Sequence, residues 1–180
     1  YVVKYDGLAG GKGVKVAGDH LHSHAEALDY CRELVASGGR FVVEEKLIGE
    51  EFSLMSFCDG ETLHHMPAVQ DHKRALEGDR GPNTGGMGSY SDTSHSLMFL
   101  DDEDISTAHA INEATAAALH AECGASYRGF LYGGFIATSD GPKLIEYNAR
   151  LGDPEALNVL EILQSDFLPI CEGMATGTLG

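Results

Sequence analysis

The stretch GFLYGGFIATSDGPKLIEYNAR, residues Gly129–Arg150, contains two apolar segments separated by a short polar turn. The segments GFLYGGFIATS and PKLIEYNAR have the composition of β-strands, and Asp140-Gly141 between them is typical of a tight turn that joins antiparallel strands. The stretch therefore predicts a β-hairpin, and this hairpin predicts a sheet with antiparallel rather than parallel strands.

The sequence around this hairpin predicts helices on both sides of it. SHAEALDYCRELVAS begins with Ser23 and Glu26 at capping-box spacing, and a second helix is predicted over Asp102–Glu122. A third helical segment begins at about Glu155. The apolar stripe predicted for the first helix consists of Ala27, Leu28, Cys31, Leu34 and Val35.

Further strands are predicted before the long helix. RFVVEEKL, EEFSLMSFC and TLHHMPAV each have strand character, and their succession predicts a meander of three strands. Residues 70–96 are polar and rich in glycine, and they lack periodicity, so a long loop is predicted there, of the kind that is usually functional or disordered. Together these patterns predict an α+β fold.

Composition excludes several classes of protein. The chain has 12 basic and 28 acidic residues and a formal charge of −16, which argues against nucleic-acid and anionic-membrane partners. No apolar stretch approaches the ~20 residues of a membrane span. The cysteines are widely spaced, so we expect reduced thiols in a cytoplasmic protein. Tyr1 already lies in an apparent strand, which suggests that the chain is part of a longer polypeptide.

The end of the second hairpin strand, EYNARLGDPE, carries candidate metal ligands. Glu146 and Asn148 are two residues apart, so their side chains project from one face of a strand. Carboxylate and amide oxygens suit Mg²⁺ or Mn²⁺, which leave further positions to water and phosphate. Arg150 continues the alternation and is placed to contact a phosphoryl group or a carboxylate. The alternative is an exposed edge strand with solvated charges.

A glycine-rich segment near the start of the chain is a candidate phosphate loop. In YVVKYDGLAGGKGV the glycine spacing fits neither a Walker loop nor a dinucleotide-binding turn. Glycines nevertheless allow backbone N–H groups to surround an anion, and Lys4 and Lys12 supply positive charge. A plain β-hairpin remains the alternative, because Val14–Ala17 has the character of a returning strand.

Two further segments combine charge with turn residues. QDHKRALEGDRGPNTGGMGSY places Asp71–Arg74 in one cluster, and the backbone amides of Thr84–Gly88 could line a second anion pocket. VVEEKLIGEEF is an extended segment that could hydrogen-bond an adenine edge through its main chain, with a glutamate on the ribose. Alone, the latter segment is also typical of a charged hairpin.

Taken in order, KYDGLAGGKGV, VVEEKLIGEEFS, QDHKR, GPNTGGMGSYS, GFLYGGF and IEYNARLGDPE resemble the phosphoribosylamine-glycine ligase family of the ATP-grasp superfamily, from Tyr1 to about Ser165. The resemblance implies two α+β subdomains with largely antiparallel sheets and a nucleotide cleft between them. Residues 1–46 would be an N-terminally incomplete lid subdomain, and residues 47–180 the core subdomain.

The resemblance also implies roles for individual residues. Lys4 and Arg150 would act in catalysis, and Glu146 and Asn148 would bind Mg²⁺ or Mn²⁺. The implied ATP contacts are Lys4, Gly7, Gly10, Gly11, Lys12, Gly13, Glu44, Glu45, Lys46, Leu47 and Glu51. The implied substrate contacts are Asp71, His72, Lys73, Arg74, Asn83, Thr84, Gly85, Gly86, Met87, Gly88, Asp153, Pro154 and Glu155.

The implied reaction is ATP-dependent ligation of glycine to 5-phosphoribosylamine through glycyl phosphate. N- and C-terminal domains of the same polypeptide would complete the enzyme, and we expect the 180 residues alone to be inactive. The sequence departs from the family pattern at Leu157 and Asn158, where the family usually has Glu, Gln or Thr two positions after the GDPE glutamate. Phe130–Ser139 also lacks the carboxylate that many superfamily members place there. Another ATP-grasp carboxylate-amine ligase, or a non-catalytic nucleotide-binding module, is the alternative.

Overall fold

The computed structural model describes residues 1–9, 13–78 and 80–180, and only the backbone at Asn83. The chain divides into two compact units, Tyr1–Leu47 and Ile48–Gly180. Each unit has its own strands, helices and buried cluster, and each is described by itself. The predictions for Gly10, Gly11 and Lys12 lie outside the described residues.

The first unit consists of a three-stranded antiparallel sheet and one helix. Its elements are β1 (Val2–Tyr5), β2 (Val14–Val16), α1 (His24–Ala36) and β3 (Phe41–Glu44). The strands lie in the order β2-β1-β3. Val3, Leu21 and Ala27 form the buried centre of the unit, where the side chains of the sheet meet those of α1.

The central strand β1 pairs on both sides. On one side Lys4 lies opposite Val14, which confirms the predicted β1–β2 hairpin. On the other side Tyr5 lies opposite Phe41 of β3. Strand β3 lies in the sheet of β1 and β2, whereas the strand that follows it, Glu50–Cys58, belongs to a different sheet. The predicted meander of three consecutive strands is therefore wrong at its first member.

Helix α1 begins where the sequence predicts. The hydroxyl of Ser23 accepts the backbone N–H of Glu26 at 3.2 Å, as expected of an N-cap. The Glu26 carboxylate accepts the N–H of His22 at 2.8 Å, so only half of the predicted capping box is present. Leu28 and Val35 are 56% and 59% exposed, and the predicted apolar stripe is therefore too wide.

The second unit is built on a four-stranded antiparallel sheet in the order β11-β10-β4-β5. The predicted hairpin of the last two strands is confirmed. The elements are β4 (Glu50–Cys58), β5 (Leu63–His65), β6 (Gln70–Asp71), β7 (Arg74–Leu76), β8 (Arg80–Asn83), β9 (Ser89–Tyr90), α2 (Asp102–Cys123), β10 (Gly129–Thr138), β11 (Gly141–Asn148), α3 (Glu155–Glu161) and α4 (Phe167–Thr176).

Strand β4 of this sheet is covered by packed side chains on both faces. Phe52 and Leu54 belong to the buried cluster that includes Ala108 of α2. Met55 and Phe57 belong to a second cluster, which includes side chains of α3 and α4. Successive strand residues point to opposite faces, so a strand covered on both sides is apolar along much of its length. Burial of each such side chain stabilises the fold by about 1.5–3 kcal/mol.

Short strands replace much of the predicted loop over residues 70–96. Strand β6 pairs with β9, and β7 pairs with β8, each as a two-stranded antiparallel ladder. The expectation of a long loop without regular structure is therefore wrong. These strands are too short to give a periodic pattern, and for that reason the sequence did not reveal them.

Strand β11 contains a β-bulge just before the candidate metal ligands. Leu144 lies opposite Phe135 of β10, whereas Glu146 lies opposite Gly134, so Ile145 is an extra residue on β11. A bulge interrupts the strict alternation of side chains. As a result Leu144 shares the face of Phe135, and Glu146 projects from the other face although it is only two residues away.

Candidate functional site

The predicted acid-amide pair lies at the end of β11. Glu146 and Asn148 share one face, as predicted, and the amide nitrogen Nδ2 of Asn148 donates to Oε1 of Glu146 at 3.2 Å. Among the described residues there is no cluster of three or more His, Cys, Asp or Glu side chains suited to a metal. The two hard oxygen donors fit an ion such as Mg²⁺, which takes one or two protein ligands and leaves the rest to phosphate and water.

The opposite face of β11 fixes the position of this pair. The hydroxyl of Tyr147 lies 2.9 Å from Oδ1 of Asn112 and 3.0 Å from Oγ1 of Thr115, both on α2. Asn112 is fully buried, and its Nδ2 donates to the carbonyl of Leu54 at 3.3 Å. Burial raises the pKa of Tyr147, so its hydroxyl remains neutral. Gly133 is required here, because a Cβ would lie 2.7 Å from Oδ1 of Asn112.

A buried hydrogen bond joins β10 to the start of α3. The hydroxyl of Tyr132 donates to Oε1 of Glu155 at 2.7 Å, and the two residues are 8% and 2% exposed. Tyr132 lies directly opposite Asn148, so its side chain is on the face of the acid-amide pair. Burial, and then the charge of Glu155, raises the pKa of Tyr132, which keeps the hydroxyl proton in place.

Asp71 is held against the GDPE segment. Its Oδ1 is buried and has no hydrogen-bond partner among the described residues. A Cβ added to Gly86 would lie 3.2 Å from this oxygen and would overlap Pro154, so the loop approaches closely here. Burial, and then the negative charge of Glu155, raises the pKa of Asp71 to about 6. The Asp71 carboxyl is therefore the predicted site residue that titrates nearest to neutral pH among those with a resolved shift.

Lys73 interacts with both a predicted ATP contact, Glu51, and a predicted metal ligand, Glu146. Its ammonium nitrogen lies 3.3 Å from Oε2 of Glu51. Burial would lower the pKa of Lys73, but the carboxylates of Glu51, Asp71 and Glu146 together raise it. Lys73 therefore stays charged, and it lies near enough to Glu146 to feel the charge at the end of β11.

Several backbone amides of the glycine-rich loop over residues 84–88 already donate hydrogen bonds within the protein. The N–H of Thr84 donates to the carbonyl of Lys73 at 2.7 Å, and that of Met87 donates to the carbonyl of His72 at 2.8 Å. The N–H of Gly86 donates to the hydroxyl of Thr84 at 3.1 Å. An anion pocket lined by all these amides, as the sequence suggests, therefore requires this loop to rearrange.

Other predicted substrate and phosphate contacts have local partners. Arg74 donates to the carbonyl of Gly81 at 3.0 Å within the β7–β8 ladder, and exposed Arg150 donates to the carbonyl of the next residue at 2.9 Å. The ring of His72 stacks on Tyr90 with centroids 5.7 Å apart. The exposed members of the predicted substrate set include His72, Gly85, Met87 and Asp153.

The predicted phosphate and adenine contacts lie mostly in the first unit. Nζ of Lys4 forms an ion pair with Glu44 at 2.6 Å. Lys46 donates to the carbonyl of Ala17 at 2.8 Å. Glu45 is exposed and Leu47 is half-buried. Gly7 and Gly13 flank the three predicted residues that lie outside the description.

The second unit thus gathers many of the predicted residues near one face of its sheet. These residues are Glu51, Asp71, Lys73, Glu146, Asn148 and Glu155. Sequence reasoning missed Tyr132, which donates to Glu155 on this face, and Asn112, which accepts from Tyr147 on the opposite face. Both occur inside segments whose pattern is dominated by core residues, so nothing local distinguishes them.

A separate cavity of about 510 Å³ in the second unit contains none of the predicted site residues. It is lined by side chains of β5, α3 and α4, among them His64, His65 and Ile170. No helix in the described ranges is long and apolar enough to cross a membrane.

The chain has two α+β units and an acid-amide pair at the end of an antiparallel hairpin, and its match to a model of an ATP-grasp domain shows that it is an ATP-grasp protein. The same fold occurs in biotin carboxylase from Campylobacter jejuni, which covers 98% of this chain with a TM-score of 0.64 at 15% identity. The chain belongs to the phosphoribosylglycinamide synthetase family, because the model of that family's ATP-grasp (A) domain matches residues 1–156.

Three relatives with higher identity are longer than this chain. Phosphoribosylamine–glycine ligase from Methanothermobacter thermautotrophicus is 54% identical over 99% of this chain, which spans 42% of that protein. The ligase from Methanococcus vannielii is 54% identical, and the chain spans 41% of it. The crystal structure of the Thermotoga maritima ligase matches 98% of the chain and 44% of its own length, with 35% identity and a TM-score of 0.83. The chain therefore spans about two fifths of these relatives.

Proposed function

We propose that this chain is the ATP-binding part of a longer enzyme that joins glycine to 5-phosphoribosylamine and gives glycinamide ribonucleotide, ADP and phosphate. The observation that carries the proposal is the acid-amide pair of Glu146 and Asn148 on one sheet face, where the charge of Glu146 also acts on Lys73. Relatives that share 54% of its residues are named phosphoribosylamine–glycine ligase, and this name supports the choice of substrates.

The proposed chemistry has two steps. A carboxylate oxygen of glycine attacks the γ-phosphorus of ATP, and the bond from that phosphorus to ADP breaks, which gives glycyl phosphate. The amine of 5-phosphoribosylamine then attacks the activated carbonyl carbon, a C–N bond forms, phosphate leaves, and the nitrogen loses a proton to the surroundings. Two anions meet in the first step, so the protein has to hold them in line and offset their repulsion.

The residues of this chain would share these tasks. Lys4 and the loop over residues 6–13 would contact the phosphates, and residues 44–47 would contact adenine. Glu51 would bind the ribose, and Arg150 would contact the transferred phosphoryl group or the acyl phosphate. Glu146 and Asn148 would hold Mg²⁺ or Mn²⁺, which when bound neutralises phosphate charge.

The remaining assignments are coarser. Segments 71–74, 83–88 and 153–155 would line the pocket for glycine and 5-phosphoribosylamine. Residues 1–46 would act as the lid subdomain and residues 47–180 as the core subdomain. The longer relatives support the presence of further domains in the complete enzyme, and we expect it to work in the cytoplasm.

The test is a substrate-dependence assay on the full-length protein that contains this chain. We expect phosphate release from ATP to require both glycine and 5-phosphoribosylamine. Glu146→Gln should lower kcat by a factor of about 100 or more, because it removes a charged ligand of the metal. Glu122→Gln, an exposed change at the end of α2, is the matched control and should leave the rate unchanged.

Two results would overturn the proposal. Phosphate release at the same rate without glycine would point to another carboxylate substrate. ATP binding without turnover, unaffected by Glu146→Gln, would point to a regulatory nucleotide-binding module.

A further inference from the structure

Tyr147 lies between the two candidate metal ligands on β11 and projects from the opposite face of the strand. Its hydroxyl meets two polar side chains of α2, with Oδ1 of Asn112 at 2.9 Å and Oγ1 of Thr115 at 3.0 Å. Because Nδ2 of Asn112 donates elsewhere, Oδ1 is the acceptor, and a phenol has only one proton to donate. The Tyr147 hydroxyl therefore donates to Asn112 and can accept from Thr115, which uses both of its polar functions.

The end of β11 is weakly held by its own strand partner. β11 is an edge strand that pairs with β10, and the bulge in β11 interrupts this pairing. After the bulge, Glu146 lies opposite Gly134, and the next residue lies opposite Gly133. Glycine offers no side chain for a cross-strand contact, and such contacts are a main source of sheet stability. The segment that carries the acid-amide pair therefore needs support from outside the ladder.

Gly133 also makes room for the contact with α2. A Cβ on Gly133 would lie 2.7 Å from Oδ1 of Asn112 and 2.6 Å from Cε2 of Phe135. Real Cβ atoms do not approach other atoms so closely. Gly133 does not have a positive φ, so backbone conformation does not demand glycine there. The lack of a side chain at this position thus lets Asn112 reach the Tyr147 hydroxyl.

Asn112 is a firm anchor for that hydroxyl. The residue is fully buried, and its Nδ2 donates to the carbonyl of Leu54 at 3.3 Å and lies 3.4 Å from Oγ of Ser56, both on β4. Helix α2 is capped at both ends, by the side chain of Asp101 and by Gly124 in the left-handed conformation. The contact therefore ties the end of β11 to a well-defined helix and, through Asn112, to an interior strand of the sheet.

We propose that Tyr147 is a positioning residue for the candidate metal pair. Its hydroxyl, held by Asn112 and Thr115, fixes the end of β11 against α2 and thereby sets where the oxygens of the pair lie. The inference rests on the proposed function, in which Glu146 and Asn148 hold Mg²⁺ or Mn²⁺. Tyr147 itself contacts neither the metal nor a substrate. An ion that takes only one or two protein ligands depends strongly on the position of each, so a small shift of the strand lowers its affinity.

The first test measures how much a metal ion strengthens nucleotide binding in the full-length protein. A nonhydrolysable ATP analogue is titrated in calorimetry with and without Mn²⁺, and the factor by which Mn²⁺ lowers its dissociation constant reports the metal contacts. We expect Tyr147→Phe to reduce this factor about tenfold and to change the dissociation constant without Mn²⁺ by less than about twofold, because loss of a supporting partner acts on metal affinity. The EPR spectrum of the bound Mn²⁺ should change as well.

Tyr127→Phe is the matched control for this test. It removes a hydroxyl of the same unit, which donates to the carbonyl of Phe130 at 2.6 Å, and it should leave the Mn²⁺ effect unchanged. An unchanged Mn²⁺ effect in Tyr147→Phe would overturn the inference even if the free energy of unfolding fell, because the hydroxyl would then serve stability alone.

The second test changes a partner of the hydroxyl on α2. Thr115→Val removes the threonine hydroxyl and nearly keeps its shape, so we expect it to reduce the Mn²⁺ effect about threefold, whereas Thr115→Ser should behave like the parent protein. The double variant Tyr147→Phe, Thr115→Val should lose no more than Tyr147→Phe alone, because both changes act through one contact. Additive losses would contradict the inference. If Tyr147→Phe does not fold, the two Thr115 variants decide, since equal Mn²⁺ effects in them would overturn it.

The failure of this inference differs from the failure of the proposed function. A parent protein in which neither Mn²⁺ nor Glu146→Gln changes the affinity for the analogue would refute the metal role of the pair. A parent protein with an Mn²⁺ effect that Glu146→Gln abolishes, together with an unchanged effect in Tyr147→Phe, would refute only the role of Tyr147. Neither measurement uses glycine or 5-phosphoribosylamine, so the choice of substrates is tested separately.

Discussion

Two short contacts to a glutamate, one in each unit, differ in their surroundings. In the second unit Tyr132 donates to Glu155 at 2.7 Å, and both residues are almost completely buried. In the first unit Lys4 pairs with Glu44 at 2.6 Å, but 18% of the lysine side chain and 43% of the glutamate side chain are exposed. The distances are nearly equal, whereas access of water differs greatly.

This difference separates a fixed contact from an exchangeable one. A buried carboxylate that loses its donor is left without compensation, so the Tyr132–Glu155 bond holds β10 and α3 in one arrangement. The Lys4–Glu44 pair is open to water on the side of the glutamate, and such pairs contribute about 0–1 kcal/mol, so another anion can replace the Glu44 carboxylate at little cost.

The largest effect is expected for Asn112, a second buried polar residue, which packs against the face of the sheet opposite the acid-amide pair. Asn112→Ala should lower the free energy of unfolding by about 3 kcal/mol, because it leaves a cavity and removes partners of buried groups. Equilibrium denaturation measures this loss. Asn158→Ala, which removes a half-buried hydrogen bond to Ser91 at 3.0 Å, is the control and should cost about 1 kcal/mol. Equal losses for the two variants would argue against a special role for the buried network.

Tyr132→Phe tests the fixed contact directly. We expect a loss of about 2 kcal/mol in the free energy of unfolding, because the buried Glu155 carboxylate loses its hydroxyl donor. Tyr127→Phe is the matched control, since that hydroxyl donates to a neutral carbonyl, of Phe130, at 2.6 Å. An equal or smaller loss of unfolding free energy in Tyr132→Phe than in Tyr127→Phe would contradict the distinction between fixed and exchangeable contacts.

Asp71 is less buried than Glu155 and more buried than Glu44, and the pH dependence of stability tests its environment. Its folded-state pKa, about 6, is above the unfolded value of about 3.9, so the folded state holds the proton more tightly. Stability should therefore fall as pH rises from about 4 to about 6, and Asp71→Asn should remove this slope. Because solvent partly screens Asp71, we expect Asp71→Asn to raise the free energy of unfolding at pH 7 by about 1 kcal/mol or less.

Asp59→Asn provides a control of opposite sign for that experiment. Backbone N–H groups, that of Thr62 first, lower the pKa of Asp59, so its contribution to stability is present at neutral pH and is lost as pH falls. Urea denaturation at a series of pH values distinguishes the two. An unchanged slope in Asp71→Asn would show that this carboxyl titrates normally.

The smallest effect on stability is expected for Lys4→Ala. The change should lower the free energy of unfolding by about 0.5 kcal/mol or less, yet it should weaken MgATP binding in calorimetry. Arg32→Ala removes a more exposed pair with Asp29 at 2.8 Å and is the control for both readings. Unchanged MgATP affinity in Lys4→Ala would remove Lys4 from the proposed site.

The sequence predicts what depends on neighbours along the chain. The β1–β2 hairpin, the N-cap at Ser23 and the shared face of Glu146 and Asn148 all follow from short-range spacing. Pairing of β3 with β1 could not be predicted in this way, because strand partners far apart in sequence are chosen by the fold as a whole. Spacing alone places Leu28 in an apolar stripe, yet the structure leaves it exposed.

The candidate site shows the same limit. Residue types and spacing were enough to select the end of β11 and the Asp71–Arg74 cluster. They could not reveal that Tyr132 meets Glu155, since this contact requires β10 and α3 to be packed first. Nor could they reveal Asn112, which lies on α2 and is buried because α2, β4 and β11 meet around it.

The extra residue in β11, Ile145, has a consequence for how this chain tolerates change. Glu146 and Asn148 are registered by their partners on β10 and by Tyr147 beneath them, independently of the residues before the bulge. An insertion or deletion in the turn at Asp140-Gly141 can then be absorbed at Ile145, where the strand already departs from regular pairing. We therefore expect the length of that turn to drift among descendants of this sequence while the two oxygen donors keep their places.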